Sequence, residues 1–468
     1  MTNIGYDTSK SELAAVCERA SVAAEYLRRA DRCARAVALR AAAEALDSQR
    51  ESLVEIARAE TRLGEARLDR ELARTSYQLR HFASVVENAD YLEVLHDQPM
   101  DTAMGAQPDL RRYLVALGPV AVFGAGNFPF AFSVPGGDTV AAVAAGCPVV
   151  VKLHPDHPRT SIESAAVLIE AFLAAGLPAD TLQLVGGLET GRDLVVNSAI
   201  KAVTFTGSLS GGRALMEAIA ERDDPIPFFG ELGSVNPVIV LRAAASTRGQ
   251  EIGNGLAVSG TVDNGQLCTQ PQLVYIPSEV GDEVVDEMLR VFTGIDAQDF
   301  LTDAGGARYA AKVADLRIDK RITALTPFPS SSRCAPTLLT TSCSNFPKKI
   351  YEEVFGPLQV VVRYDSDDEL FTALRALPGS LTATLHADDA DSQLALQVLT
   401  VLETKVGRLV FNGYPTGVMV AGAQTHGGPW PSSNSQHSSV GATSIRRFLR
   451  PITYQSAPSW ALPAELGR

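Results

Sequence analysis

Paired cysteine spacing is missing from this chain. Its six cysteines, at 17, 33, 147, 268, 334 and 343, are scattered over 468 residues, and no Cys-x-x-Cys occurs. That distribution fits a reducing cytosol, offers no disulfide framework and excludes a zinc site visible in the sequence. A basic excess is missing too: 41 Lys and Arg against 54 Asp and Glu leave a net charge of -13. This argues against a nucleic-acid partner and against an anionic membrane surface. The opening residues, Met1-Thr2-Asn3-Ile4-Gly5-Tyr6-Asp7, have neither the basic start nor the apolar core of a signal peptide, so a cytoplasmic location is expected. Repeats and low-complexity tracts do not occur. Leu114 to Gly137 carries no charge, yet Gly118, Pro119, Gly124, Gly126, Pro129 and Pro135 interrupt it. A spanning helix could not keep its backbone bonded across so many breaks, so buried strands and turns are expected there.

What is present is ordinary globular material, 46% hydrophobic and 20% charged, in a chain long enough for two or three domains. Residues 9 to 90 have apolar side chains at three- and four-residue spacing and read as several amphipathic helices whose charges form a solvated face. From 110 onward the pattern alternates. Tyr113–Leu117, Val120–Phe123, Cys147–Lys152, Thr181–Val185 and Ala202–Thr206 read as strands. Helical segments at Asp138–Ala145 and Ser161–Ala175 separate some of them. The spacing predicts a parallel α/β sheet with helices on both faces. A second α/β pattern follows, with strands at Val235–Leu241, Leu273–Ile276, Leu358–Tyr364, Leu381–Leu385 and Leu409–Asn412. A polar loop at Gly422–Ser439 and a closing strand at Phe448–Tyr454 end it.

Chemistry concentrates in a few segments. In Thr206-Gly207-Ser208-Leu209-Ser210-Gly211-Gly212, a strand passes into a helix; this is either a capped turn or a cradle for phosphate at a helix N-terminus. In Phe123-Gly124-Ala125-Gly126-Asn127-Phe128-Pro129, Asn127 is either a hydrogen-bonded turn residue or a donor for a developing oxyanion. Lys152 closes an apolar strand, as a solvated end or as a ligand contact at the carboxyl edge of a parallel sheet. His154 and His157 lack the companions of a metal site, and no metal is expected. Glu231 and Cys268 form the pair of greatest interest. A buried glutamate has a raised pKa and accepts a proton near neutrality, while a thiolate attacks carbonyl carbon. Glu353 and Phe355 supply a carboxylate suited to a ribose diol and a ring beside it.

Taken together, Asn127-Phe128-Pro129, Val151-Lys152, Phe205-Thr206-Gly207-Ser208, Glu231-Leu232-Gly233, Gly265-Gln266-Leu267-Cys268 and Glu352-Glu353-Val354-Phe355-Gly356-Pro357 resemble the aldehyde dehydrogenase superfamily over nearly the whole chain. Three further segments resemble the branch of 2-oxoglutarate semialdehyde dehydrogenases and NADP-linked fatty aldehyde dehydrogenases. These are Gly230 to Pro237, Cys268-Thr269-Gln270-Pro271 and His426-Gly427-Gly428-Pro429-Trp430-Pro431. The resemblance implies an α/β fold with two parallel domains, a Rossmann-like cofactor domain (1–109 and 119–231) and a catalytic domain (232–430). A small β arm (110–118 and 440–456) would make a homodimer or homotetramer.

The resemblance also implies roles. Cys268 attacks an aldehyde to give a thiohemiacetal, and Asn127 with the Cys268 N–H holds the oxyanion. Hydride passes to the nicotinamide, and Glu231 activates the water that cleaves the thioester. Lys152 contacts the adenine ribose, Gly207 and Ser208 lie by the pyrophosphate, and Glu353 and Phe355 position the nicotinamide ribose and ring. Many NAD-preferring relatives carry a glutamate three residues after the lysine; Pro155 stands there instead, which opens the site to NADP beside NAD. The usual Gly-Lys after the base is Gly233-Ser234. The expected substrate is a small aldehyde, 2-oxoglutarate semialdehyde or a relative, with a fatty aldehyde as the alternative. A carboxylate-bearing substrate asks for arginine or several donors, and the loop Ser432 to His437 has donors but no arginine. A coenzyme A-acylating enzyme would lack Glu231, and a catalytically silent binding homologue would lack Cys268 or Glu231.

Overall fold

The computed structural model describes residues 7–327 and 333–467. Of the opening segment read above, only Asp7 falls within it. Four helices come first: α1 (Lys10–Arg29), α2 (Arg32–Ser48), α3 (Arg50–Thr61) and α4 (Glu65–Asn88). Short strands β1 (Leu95–Asp97), β2 (Met100–Thr102) and β3 (Gly105–Gln107) lead to β4 (Leu110–Ala116). Then strands and helices alternate: β5 (Val120–Phe123), α5 (Gly137–Ala145), β6 (Val149–Lys152), α6 (Pro158–Ala174), β7 (Leu182–Val185), α7 (Leu188–Val196), β8 (Ala202–Thr206), α8 (Leu209–Ala220) and β9 (Phe228–Glu231).

These strands form a five-stranded parallel sheet in the order β7-β6-β5-β8-β9. Its two faces follow from the two-residue period of a strand. Val120, Val122, Val149 and Val151 pack against helices α2, α4, α5 and α6, while Ala121, Phe123, Val150 and Val203 pack on the other face with α1, α7 and α8. Burying a branched side chain is worth about 1.5–3 kcal/mol, so the doubly covered sheet locks its register. That register pairs Phe123 with Lys152 and with Phe205, and Thr206 with Glu231. Asn127, Lys152, Gly207, Ser208 and Glu231 therefore all leave one carboxyl edge.

The second unit comprises β10 (Val238–Val240), α9 (Arg242–Thr261), β11 (Leu273–Pro277), α10 (Asp282–Thr293), α11 (Asp303–Arg317), β12 (Thr323–Ala324), β13 (Thr337–Ser342), β14 (Leu358–Tyr364), α12 (Asp367–Ala376), β15 (Ser380–His386), α13 (Ser392–Leu402) and β16 (Val406–Phe411). Its sheet order is β12-β13-β14-β11-β10-β15-β16, parallel except at β12. Cys268 lies shortly before β11, Ser234 before β10, and Glu353 before β14. In this sheet the chemistry therefore sits at the amino ends of the strands. The carboxyl edge of one sheet faces the amino edge of the other.

A third, small sheet is antiparallel and ordered β1-β4-β17, where β17 is Leu449–Gln455. Residues 95–107, placed by the sequence reading in the first domain, contribute β1 and a β2–β3 hairpin beside this sheet. Conversely, Ala442–Phe448 is a 3₁₀ helix and not part of an extended arm, because Ile445 and Phe448 are buried with helices of the first domain. All six cysteines are unpaired. Among the described residues no helix is long and apolar enough to cross a membrane. The charge-free stretch from Leu114 forms strand ends, β5 and a loop.

Helix α4 corrects the expectation that the first helices carry only solvated charge. Arg67, Glu71, Arg74 and Gln78 recur at helical spacing on its inner face, and Arg67, Glu71 and Gln78 are buried. The Arg67 guanidinium donates to the Asn127 carbonyl at 2.6 Å, to Asp263 Oδ2 at 2.9 Å and to Glu71 Oε2 at 3.2 Å. Glu71 Oε1 accepts from the Phe130 and Ala131 N–H groups at 2.8 and 2.9 Å. One arginine thereby fastens the loop after β5 to the turn that precedes Cys268. Removing one partner of such a buried network leaves charges unpaired, which costs about 3–5 kcal/mol. Arg67→Met should lower unfolding stability by about that much in denaturant titrations; a loss below about 1 kcal/mol would show the network to be dispensable.

Candidate active site

The turn before Cys268 is shaped by backbone more than by packing. Asp263, Asn264 and Gly265 adopt φ of 51°, 55° and 62° in succession. Asp and Asn tolerate the left-handed region, at a cost of order 1 kcal/mol each. Gly265 is required twice over, since a Cβ there would also lie 2.4 Å from the Gly356 carbonyl carbon. From this turn the chain presents Cys268, the one partly exposed thiol of the second domain. Asn236 holds it in place, its Nδ2 donating to the carbonyls of Cys268 and Gln270 at 2.8 and 2.9 Å. Ser234 acts behind it. Its Oγ donates to Asn236 Oδ1 at 2.6 Å and accepts from the Leu381 N–H at 2.9 Å.

Glu231 arrives from the other sheet. Its carbonyl accepts from the Gly207 N–H at 3.0 Å, and the next N–H, of Leu232, donates to Ser432 at 2.8 Å. Its carboxylate is 5% exposed and meets His426 Nε2 at 2.9 Å and Ser439 Oγ at 3.1 Å. Cys268 Sγ lies 3.6 Å from the same His426 nitrogen. The ligand atoms of Glu231, Cys268 and His426 are within 4.8 Å of one another. Thiolate, imidazole and carboxylate are donors that zinc accepts, so the fold assembles a potential metal trio that the cysteine spacing did not reveal. A small cavity of about 10 Å³ adjoins Glu231, His426, Ser433 and Ser439, close to the room one water needs.

Charge is distributed differently from the sequence expectation of a raised Glu231. Burial pushes that carboxyl upward, but the charge and hydrogen bond of His426 and the bonds from Ser439 and Cys268 outweigh it, and the net direction is down. Cys268 moves the other way. Burial, then the charge and hydrogen bond of Glu231 and the charge of Glu353, hold the thiol well above its ordinary range, with Arg408 pulling against them. At rest the pair is a carboxylate accepting from a protonated thiol. His426, bonded to both, was quoted in the sequence only as part of a resembling segment. Its cue was a histidine opening a Gly- and Pro-rich loop.

Asn127 reaches the nucleophile indirectly: Nδ2 donates to the Gln266 carbonyl at 2.9 Å. An amide has two N–H donors, so one remains for a ligand. Ser208, Glu353 and Phe355 line a separate cleft of about 600 Å³, together with Arg213 and Gly233. Ser208 Oγ caps α8 by accepting from the Gly211 N–H at 3.2 Å. Gly207 is not on the cleft wall; it sits against the Phe205 ring, which a Cβ would meet at 2.8 Å. Lys152 also lies outside the cleft, at the end of β6. Burial lowers its pKa and the charge of Asp156 raises it. Beside it His154 stacks on His157 at 5.0 Å.

Glu353 is pushed up to about 7 by burial and the Glu231 charge, against the Ser234 N–H. The folded protein keeps this proton up to that pH, whereas the unfolded chain releases it near 4.5. The native state thus binds more protons through this window, and stability declines as pH rises across it. Glu353→Gln should remove the decline, so its Tm advantage over the wild type should grow between about pH 5 and pH 8. Parallel Tm profiles for the two proteins would contradict the assignment.

The sequence model of the aldehyde dehydrogenase family matches residues 5–453. An alpha-ketoglutaric semialdehyde dehydrogenase 2 of Azospirillum brasilense is 41% identical over 469 residues, spanning 98% of this chain and 89% of that protein. An alpha-ketoglutaric semialdehyde dehydrogenase of Acinetobacter baylyi is 39% identical over 424 residues, spanning 88% and 80%. Aldehyde dehydrogenase 21 of Physcomitrella patens, solved with the reaction product succinate, superposes with a TM-score of 0.81 at 19% identity, covering 96% of this chain and 91% of that one. That likeness is one of fold, and it agrees with two α/β units facing each other across a thiol. The chain belongs to the aldehyde dehydrogenase family and is an aldehyde dehydrogenase.

Proposed function

We propose that this enzyme oxidises 2-oxoglutarate semialdehyde, or a close semialdehyde, to the acid with NADP or NAD. The observation that carries the chemistry is the meeting of Cys268, Glu231 and His426 within 4.8 Å at the junction of the two sheets. The substrate assignment is supported by the two relatives near 40% identity.

The cleft residues fit a dinucleotide. The N-terminus of α8, with Ser208 and Arg213 at the cleft wall, suits a pyrophosphate. Glu353 and Phe355 suit the nicotinamide ribose and ring, and Lys152 the adenine ribose at the neighbouring strand end. When bound, the nicotinamide supplies the hydride acceptor. The Cys268 sulfur adds to the aldehyde carbon as its proton passes to Glu231, and the remaining Asn127 N–H donates to the oxygen. Once Glu231 has released that proton to solvent, water adds to the thioester carbon, giving its proton to Glu231, and the C–S bond breaks to free Cys268 and the acid. A carboxylate with a lowered pKa is a weak base, and contacts with His426 at 2.9 Å and Ser439 at 3.1 Å hold Glu231 in place for the transfer. Pro155 leaves no carboxylate at the position that would repel a 2′-phosphate. Asp156 is the acidic group acting on Lys152, and burial pushes its carboxyl upward. The edge strand β17 supports pairing with a second copy, as a homodimer or homotetramer.

Cys268→Ala should abolish aldehyde oxidation while cofactor binding, followed by fluorescence titration, stays near normal; surviving turnover would remove Cys268 from the mechanism. Glu231→Gln should keep the first-turnover burst of reduced cofactor and slow the steady state by about 10²-fold or more. An unchanged steady state would argue against Glu231. In an aldehyde panel run with both cofactors, semialdehydes should exceed long-chain aldehydes in kcat/KM, and NADP should serve at least as well as NAD. Preference for long chains would favour a fatty aldehyde enzyme instead.

A further inference from the structure

Two arginines within electrostatic reach of Cys268 form no ion pair with an acidic side chain among the described residues. Arg74, on α4, stacks its guanidinium over the Phe132 ring at 5.1 Å, and that ring is 6.0 Å from the His426 ring. Its Nε donates to the Val418 carbonyl at 3.3 Å and its Nη1 makes a long bond to Gln78 Oε1 at 3.4 Å. Its Nη2 is buried and has no hydrogen-bond partner. Arg408, near the start of β16, donates to the carbonyls of Gly417, at 2.8 Å, and Pro415. Both guanidiniums thus hold the same short loop, 415–418, from its two sides. Neither is in an ion pair with an acidic side chain within 4.0 Å among the described residues. The acid nearest to Arg74 in the helix, Glu71, is already committed to Arg67 and two backbone N–H groups. Cys268 lies within electrostatic reach of both arginines, and Glu71 and Glu231 within reach of Arg74.

The buried Nη2 of Arg74, with no hydrogen-bond partner and no ion pair of its own, is costly unless an anion arrives, and Arg408 adds a second positive charge on the same loop. The fork of a guanidinium matches a carboxylate. The geometry points to Arg74 and Arg408 as the subsite for the distal carboxylate of the substrate, making the enzyme selective for aldehydes that end in a carboxylate. This rests on the proposed aldehyde oxidation and adds the residues that choose among aldehydes. The donors asked for at the sequence level come from α4 and β16, not from the loop Ser432 to His437.

The test compares 5-oxopentanoate with pentanal, which share a chain length and differ in the carboxylate. The wild type should favour 5-oxopentanoate. In Arg74→Leu and Arg408→Leu, kcat/KM for 5-oxopentanoate should fall about 10- to 100-fold, mostly through KM, while pentanal stays within about threefold. Arg74→Lys should restore part of the loss. Glutarate should bind Cys268→Ala in calorimetry and should bind the Arg74→Leu/Cys268→Ala double variant at least 10-fold more weakly. If both aldehydes fall together, the arginines only support the loop and the proposal is wrong. Equal use of the two aldehydes by the wild type would overturn it as well, while leaving the dehydrogenase reading intact. Inactivity toward every aldehyde, with glutarate still bound through Arg74, would instead strike at the dehydrogenase reading.

Discussion

The Arg67 guanidinium is the interaction on which the rest of the site depends. It is a side chain of a helix in the first domain. Its three bonds reach the Asn127 carbonyl, the Asp263 carboxylate ahead of the nucleophile, and Glu71, which in turn holds the Phe130 and Ala131 amides. The Asn127 loop and the turn before Cys268 belong to different α/β units. Without a rigid tie, their separation would vary by more than catalysis tolerates. Arginine suits the task because its planar fork serves several acceptors at once in fixed directions.

Around that tie, electrostatics settle what each group does at rest. The Glu231 carboxyl receives donors from His426 and Ser439 and so stays ionised despite being buried. The thiol beside it feels two acidic groups and stays protonated. The thiol therefore rests protonated, its proton aimed at the Glu231 carboxylate. Arg408 and Arg74 are the opposing charges. They supply positive potential near the sulfur, and the same surplus attracts an anionic substrate end.

Much of this was legible in the residue order. The period-two apolar runs around Val120 and Val149 announced doubly covered strands, and Gly265-Gln266-Leu267-Cys268 and Glu231 singled out a thiol and a carboxylate that the fold brings within 4.8 Å of one another and of His426. The first helices were misread, because Arg67, Glu71, Arg74 and Gln78 look like a solvated stripe when only spacing is visible. Polar residues at helical intervals carry no mark of which face turns inward. The pKa of Glu231 was misjudged in sign for a similar reason. Burial can be guessed from apolar neighbours, but the donors that reverse its effect come from His426 and Ser439, about two hundred residues away.

By itself, then, the order of residues determined the alternation of strands and helices, the identity of the chemical groups and the family that shares them, since these depend on local periodicity and on short motifs. Only the tertiary structure decided that the carboxyl edge of one sheet faces the amino edge of another. It likewise decided that His426 bridges Glu231 and Cys268, and that Arg74 and Arg408 hold the same short loop without an ion pair among the described residues. Those are distances between segments far apart in the chain, and they are set by packing and by buried hydrogen bonds that no local pattern encodes.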